Sequence, residues 1–279
     1  MLVKYSVAVI IPTYNRCNVI GRAIESVLRQ SFPAEEICVV DDGSCDGTRD
    51  FISSTFPEVK YVYQENAGVS SARNRGLIET SAEWVAFLDS DDVWLDEKLE
   101  EQRAAFEVAP NFRLIHSDEI WIRNGRRVNP MKKHRKFGGE IFERCLPLCL
   151  ISPSAVIIER TLFDEVGVFD ESLPVCEDYD LWLRICCHYP VLYVDKPLLE
   201  KHGGHDDQLS KEHWGMDRFR VVALENLLNS SVLNDQQRTL AISALKEKCL
   251  ILISGALKRN NLDLAEQFVA VIDTYSFDS

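Results

Sequence analysis

The sequence predicts an α/β protein, a mostly parallel sheet sandwiched by helices and followed by an α-helical hairpin. Three observations carry that prediction. Short, β-branched apolar runs alternate with amphipathic helical stretches over the first hundred residues. The connections between them are short, as right-handed βαβ units require. From Trp214 onward apolar residues recur only at helical spacing. At 279 residues, 46% hydrophobic and 27% charged, the chain has enough apolar material for a sizeable core.

Residues 7–11 read as a first strand, buried on both faces. Asn18 is placed to cap a helix carrying Ile20, Ala23, Ile24, Val27 and Leu28 on one side. A second strand over 36–40 ends in Asp41-Asp42-Gly43-Ser44, and Asp46 is placed to cap the next helix. A third strand over 59–63, a helix over 70–79 and a fourth strand over 84–88 follow, the last ending in Asp89-Ser90-Asp91-Asp92. After a helix over 95–108 the pattern loosens. Strands are expected at 113–122, 155–159 and 191–194, a short helix at 161–166, and a stronger one from Glu177 through Leu181, Trp182, Ile185 and Cys186. Residues 198–213 are polar and Gly-containing, hence loop. Ile242, Leu245, Cys249, Leu252 and Ala256 form one stripe, and Leu262, Ala265, Val269 and Ile272 a second, with Arg259-Asn260-Asn261 as the turn between them. The expected organisation is a catalytic-type domain over 1–213 and a helical extension over 214–279.

In an open parallel sheet, ligands sit beyond the carboxyl ends of the strands. Thr13-Tyr14-Asn15, Asp41-Asp42 and Asp89 to Asp92 all lie there, so they converge on one edge. Three carboxylates within 89–92 repel one another unless a cation or hydrogen bonds compensate. Hard oxygen ligands at a strand end suit Mg²⁺ or Mn²⁺. A bland alternative, Asp92 capping the helix at Leu95, explains one acid and not three. Asp41-Asp42 fits a turn equally well. The loop 66–76, with two arginines between glycines, can offer guanidinium and N–H groups to a phosphate. Glu177, Asp178 and Asp180 open a helix, where they suit the dipole and where an ionised carboxylate can also act as a base. His202 and His205 flank Gly203-Gly204.

The chain carries 31 Lys and Arg against 44 Asp and Glu, a net charge of −13, which argues against a nucleic acid partner. Yet residues 123–136 hold seven Lys and Arg and no acid. That basic loop is expected to meet an anionic partner, either a soluble acceptor or the membrane's inner face by peripheral contact. Nine scattered cysteines without zinc spacing read as free thiols of a reducing compartment. With no leader-like start and only a short late apolar run at 249–257, a cytoplasmic location is expected.

The segments Val9 to Asn15 (VIIPTYN), Val39 to Ser44 (VVDDGS), Gly68 to Gly76 (GVSSARNRG), Phe87 to Asp92 (FLDSDD) and Glu177 to Trp182 (EDYDLW) resemble the family 2 glycosyltransferases of GT-A fold, in order and in spacing, over residues 6 to about 210. The resemblance implies an inverting, metal-dependent hexosyl- or N-acetylhexosaminyltransferase using a nucleotide-sugar donor, in the first place a UDP-sugar. The acceptor would be a glycan or lipid-linked hydroxyl in cell-surface polysaccharide synthesis. It further implies that Pro12, Thr13 and Tyr14 line the base pocket, that Asp42 accepts from the uracil N–H, and that Arg73 helps hold the nucleotide. Asp89 and Ser90 would face the ribose side, Asp91 would bind Mn²⁺ or Mg²⁺ directly, and Asp178 would be the catalytic base. His202 would complete the metal shell, with His205 as rival. The alternatives are a nucleotidyltransferase, disfavoured by the lack of a glycine between Pro12 and Gly21, and a non-catalytic nucleotide-sugar-binding protein.

Overall fold

The computed structural model describes residues 5–204 and 213–275. Nine strands form one mixed sheet in the order β3-β2-β1-β4-β8-β6-β9-β5, with β7 paired to β6. The first four strands, β1 (Val7–Thr13), β2 (Glu36–Asp41), β3 (Lys60–Tyr63) and β4 (Trp84–Phe87), are mutually parallel. Helices α1 (Ile20–Leu28), α2 (Thr48–Thr55) and α3 (Val69–Glu79) connect them. Successive residues of β1 serve opposite cores. Val7, Val9 and Ile11 pack with α1 and with α4 (Lys98–Val108) on one face, while Ile10 joins the core on the other. Helix α3 lies directly on β1, because a Cβ on Gly76 would meet Ile10 Cγ2 at 2.3 Å.

Beyond β4 the sheet is mixed, with antiparallel pairs entering beside one further parallel pair, and expectation and structure part in places. The helix expected from Leu95 begins at Lys98, because Val93–Trp94 forms a short strand, β5, against β9. Neither Asn18 nor Asp92 caps a helix; α1 starts after Val19 without a side-chain cap, and Asp92 is turned inward. Asp46 lies just outside α2 and accepts from the N–H and hydroxyl of Thr48 at 3.1 and 2.5 Å. β6 (Leu114–Arg123) continues into β7 (Arg126–Val128) through Asn124-Gly125, both at positive φ (49° and 73°). The basic segment is therefore largely a tight hairpin with a 3₁₀ turn (Lys132–His134) beyond it, not an open loop. β8 (Val156–Glu159) lies between β4 and β6. Helices α5 (Phe142–Cys145), α6 (Leu162–Val166) and α7 (Glu177–Cys186) cover that face. The last strand runs much farther than residues 191–194. β9 (Leu192–Gly203) takes in residues 198–203, which had read as loop, by pairing with both β6 and β5.

Three C-terminal helices follow, α8 (Asp217–Asn229), α9 (Asp235–Lys258) and α10 (Leu262–Thr274). The hairpin of α9 and α10 is as expected, with Asn234 and Gln237 forming a reciprocal cap at its start. The α9 stripe is buried throughout, but that of α10 is displaced. Ala265 and Phe268 point inward, whereas Leu262 and Val269 are exposed. These helices share one continuous core with Phe87, Val156 and α7. They are built into the α/β body.

Candidate active site

A cavity of about 1140 Å³ opens at the carboxyl ends of β1, β2 and β4. Pro12, Thr13, Tyr14, Asp42, Arg73, Asp89, Ser90, Asp91, Asp178 and His202 all line it, so every expected site residue that is described meets at one place. His205 lies outside the described residues.

The β1 and β2 ends are locked together. Asn15, in the left-handed region at φ 50°, donates its N–H to Ser44 Oγ (2.8 Å) and accepts from Cys45 N–H (2.9 Å). Asp41 accepts from Ser44 N–H and from the Tyr61 hydroxyl. Asp42 accepts from Gln64 Nε2 (2.7 Å), Ala67 N–H (2.9 Å) and Gly68 N–H (2.9 Å). It is therefore the post on which the loop into α3 is hung. Thr13 Oγ1 is buried against the cavity and has no hydrogen-bond partner among the described residues.

Arg73 is buried on α3, with its guanidinium over the Phe169 ring. One terminal nitrogen donates to Asp89 (2.8 Å) and the other to Glu177 (2.5 Å). Burial works against its charge, and the two carboxylates more than offset this and hold it protonated. Arg73 thus faces the acids that flank the cavity and ties the end of β4 to the start of α7. Burial pushes the Glu177 carboxyl up to about 7, with Arg73 opposing the rise and Asp178 adding to it.

Behind Asp89 and Asp91 lies buried Asp92, which accepts from the Ser154 hydroxyl (2.6 Å) and from His202 N–H (2.9 Å). Burial first, then the negative charges of Asp91 and Asp89, push its carboxyl well above the usual range. Half-buried Asp178 accepts from Tyr179 N–H (2.7 Å) and from the Cys149 thiol (3.3 Å). Burial and then Asp178 push that thiol well above its ordinary value, so it stays a proton donor. Cys176, immediately before α7, is held at φ 65° and ψ 18°, an uncommon conformation that aims Glu177 and Asp178.

Lys201 is a residue that sequence reasoning missed. It lines the cavity and donates to Ser152 Oγ at 2.9 Å. Burial disfavours its charge, but Glu119, Asp92, Asp89 and Asp178 outweigh it and hold the ammonium above its ordinary range. It stands among the acids of both halves of the site. Ser154, whose hydroxyl also accepts from Asp89 N–H (3.1 Å), was missed as well. Nothing in the sequence singles out Lys201 or Ser154.

The residues present fit a hard divalent cation. Among the described residues, no three His, Cys, Asp or Glu side chains form a ready-made cage. Mg²⁺ and Mn²⁺ commonly need only one or two protein ligands, the rest being water and phosphate oxygens. Burial first, and then the charges of Asp91 and Asp89, disfavour ionisation of Asp92, and Asp89 and Asp91 bring two further carboxylates to the cavity wall, where a cation would offset their charge. His202, whose ring lies 3.2 Å from Glu200, borders the same cavity.

Residues 8–167 match the profile of glycosyl transferase family 2, and the chain belongs to that family. An uncharacterized glycosyltransferase of Rickettsia typhi is 33% identical over 207 residues, 72% of this chain and 65% of that protein. The Escherichia coli UDP-Glc:alpha-D-GlcNAc-diphosphoundecaprenol beta-1,3-glucosyltransferase WfgD is 33% identical over 183 residues, 65% of this chain and 70% of its own. The crystal structure of S. aureus TarS 1–349 in complex with UDP-GlcNAc superposes with a TM-score of 0.65 at 18% identity, covering 98% of this chain and 92% of that one. That likeness shows the expected GT-A architecture. The chain spans 65% of the Rickettsia typhi relative's length.

Proposed function

We propose that the chain transfers a hexosyl or N-acetylhexosaminyl group, with inversion, from a UDP-sugar to a hydroxyl of a glycan or lipid-linked acceptor in cell-surface polysaccharide synthesis. The observation that carries this reading is the convergence on one cavity of the strand-end acids, Arg73 and the α7 carboxylates. Family membership points the same way, as do a relative named for using UDP-Glc and a similarly folded protein seen with UDP-GlcNAc.

Asp178 takes the proton of the acceptor hydroxyl as that oxygen attacks the anomeric carbon. The bond from that carbon to the diphosphate oxygen breaks, UDP leaves, and one displacement inverts the configuration. Tyr179 N–H and the Cys149 thiol orient the Asp178 carboxylate. Unpartnered Thr13 Oγ1 and the loop pinned by Asp42 form the nucleotide side. Arg73 keeps Asp89 and Glu177 in register, and Lys201 adds positive charge beside them. Asp91 and His202 would hold Mn²⁺ or Mg²⁺, which when bound supplies positive charge for the leaving diphosphate.

Calorimetric titration of UDP with and without Mn²⁺ or Mg²⁺ tests the reading. Wild type should bind at least about tenfold more tightly with the cation, and Asp91→Asn should lose that gain. Equal affinity in all four cases would remove the metal from the proposal. A donor screen for UDP release identifies the sugar.

A further inference from the structure

We propose that the β6–β7 hairpin and the 3₁₀ turn beyond it form a docking surface for an anionic phospholipid bilayer, an inference that rests on the reading of the acceptor as lipid-linked. Arg126, Arg127, Lys132 and Lys133 are all exposed there, and none takes part in an ion pair among the described residues. Elsewhere many exposed cations are answered, and those without an ion pair among the described residues, Arg22, Arg49, Arg144, Lys258 and Arg259, lie singly or as one adjacent pair. Lys60 and Arg75 pair with Glu79, Arg103 with Glu107, Arg29 with Glu25 and Asp96, and Lys196 with Glu97 and Glu101. Of the seven bases in 123–136, only Lys136 finds an acid, and it does so by turning inward to Glu119 at 3.2 Å. Arg135 and Arg123 lie over the rings of Phe137 and Trp121. A chain of net charge −13 therefore carries its densest run of unpaired positive charge on one small element.

Met131 chooses between a bilayer and a soluble polyanion. It is 61% exposed, follows exposed Pro130 and directly precedes Lys132 and Lys133. An apolar side chain among cations suits the headgroup–acyl boundary, where charge meets lipid phosphate and the thioether leaves water. A soluble anionic glycan gives an exposed methionine nothing to enter.

The surface is also placed to serve the cavity. Ile122 and Arg123 pair with His202 and Gly203 of β9, so the hairpin extends a strand, β6, that lies beside the one delivering Lys201 and His202. Among the described residues no helix is long and apolar enough to cross a membrane. A peripheral contact at this hairpin would bring the cavity to an acceptor whose lipid tail stays in the bilayer.

Co-sedimentation with vesicles of phosphatidylglycerol and phosphatidylcholine tests it. Wild type should bind the mixed vesicles at low salt, release from them at high salt, and ignore pure phosphatidylcholine. Replacing Arg126, Arg127, Lys132 and Lys133 together by Ser should lower the partition coefficient on the order of 10³-fold at low salt, and Met131→Ser alone should lower it by a few-fold. Removing the paired cations Arg103 and Lys196 should change nothing. Hydrolysis of free UDP-sugar, measured on each variant, reports folding and the donor site separately from docking. Wild type that ignores anionic vesicles at low salt, or a quadruple variant that binds like wild type, overturns the proposal. So does wild type that binds soluble polyphosphate but no vesicle, which would assign the hairpin to a soluble anionic acceptor. Vesicle binding without UDP-sugar turnover would leave docking standing and sink the transferase reading.

Discussion

β1, β2 and β4 run parallel and deliver their acids from strand ends, where backbone N–H groups and hydroxyls hold them. β9, held in a bulged, partly antiparallel ribbon with β6 and β8, brings Lys201 and His202 to the same cavity, and the ribbon's buried charges are held by one another. Lys136 lies 3.2 Å from Glu119, and Lys201 stands among four carboxylates. In the first half, position follows from topology, since the ends of parallel strands share an edge. In the second, it follows from register and ion pairing, and a change to one member is felt by the others.

The contrast breaks most sharply at Asp178, which sits on α7, outside the strand-end acids. Asp178→Asn should lower the rate of transfer by about 10³-fold or more, within the range of general-base catalysis. Affinity for UDP should stay within about twofold, a difference below 1 kcal/mol. A parallel loss of UDP affinity would make the residue an architectural part of the α7 start and return the base to another group.

Arg73 joins the two halves, so its removal should cost both stability and activity. Arg73→Met leaves Asp89 and Glu177 facing each other without the cation between them. Breaking a buried pair in this way costs about 3–5 kcal/mol. Urea denaturation should show that drop at unchanged slope. A loss below about 1 kcal/mol would mean that the two carboxyls relax by taking up protons. Glu177 is poised for this, with burial already raising it to about 7.

Legibility in the sequence follows the same division. The parallel half was readable because β-branched runs, short connections and acids at fixed offsets all report one local geometry. β1 to β4 lie within a few residues of their expected bounds. The antiparallel half depends on partners far away in the chain. β9 extends to Gly203 because β6 and β5 flank it, although its Lys-His-Gly end reads as loop. Asn124-Gly125 is a strong local signal for a tight hairpin, but the density of positive charge around it obscured the strand pairing. In α10 a one-position slip put Val269 where Phe268 belongs, because both choices continue a helical stripe. The site was legible as a list of residues. The bridging role of Arg73, the shielding of Asp92 and the presence of Lys201 are tertiary facts with no local signature.

The smallest effect expected is a pH dependence that belongs to the ribbon half alone. His116 on β6 is fully buried, its Nε2 lies 2.8 Å from the Phe137 carbonyl, and Nδ1 has no hydrogen-bond partner among the described residues. Burial, then nearby Lys136, lowers its value from 6.5 to about 4. Folded His116 therefore stays neutral while the unfolded chain takes up a proton, and stability present above pH 6.5 is lost as pH falls toward 4. The full loss is about 3 kcal/mol. Glu119, lowered to about 2, releases its own contribution only in stronger acid. Glu177 acts oppositely: raised to about 7, it favours the folded state as pH falls toward its ordinary value of 4.5. Wild type alone would thus show a blunted slope. The informative quantity is the difference between wild type and His116→Gln, which keeps a donor for Phe137 and cannot titrate. That difference should shift against wild type by about 3 kcal/mol between the two pH limits and stay flat above neutrality. A pH-independent difference would mean that folding leaves the proton affinity of His116 unchanged, with the effect of burial offset from within the Glu119–Lys136 cluster.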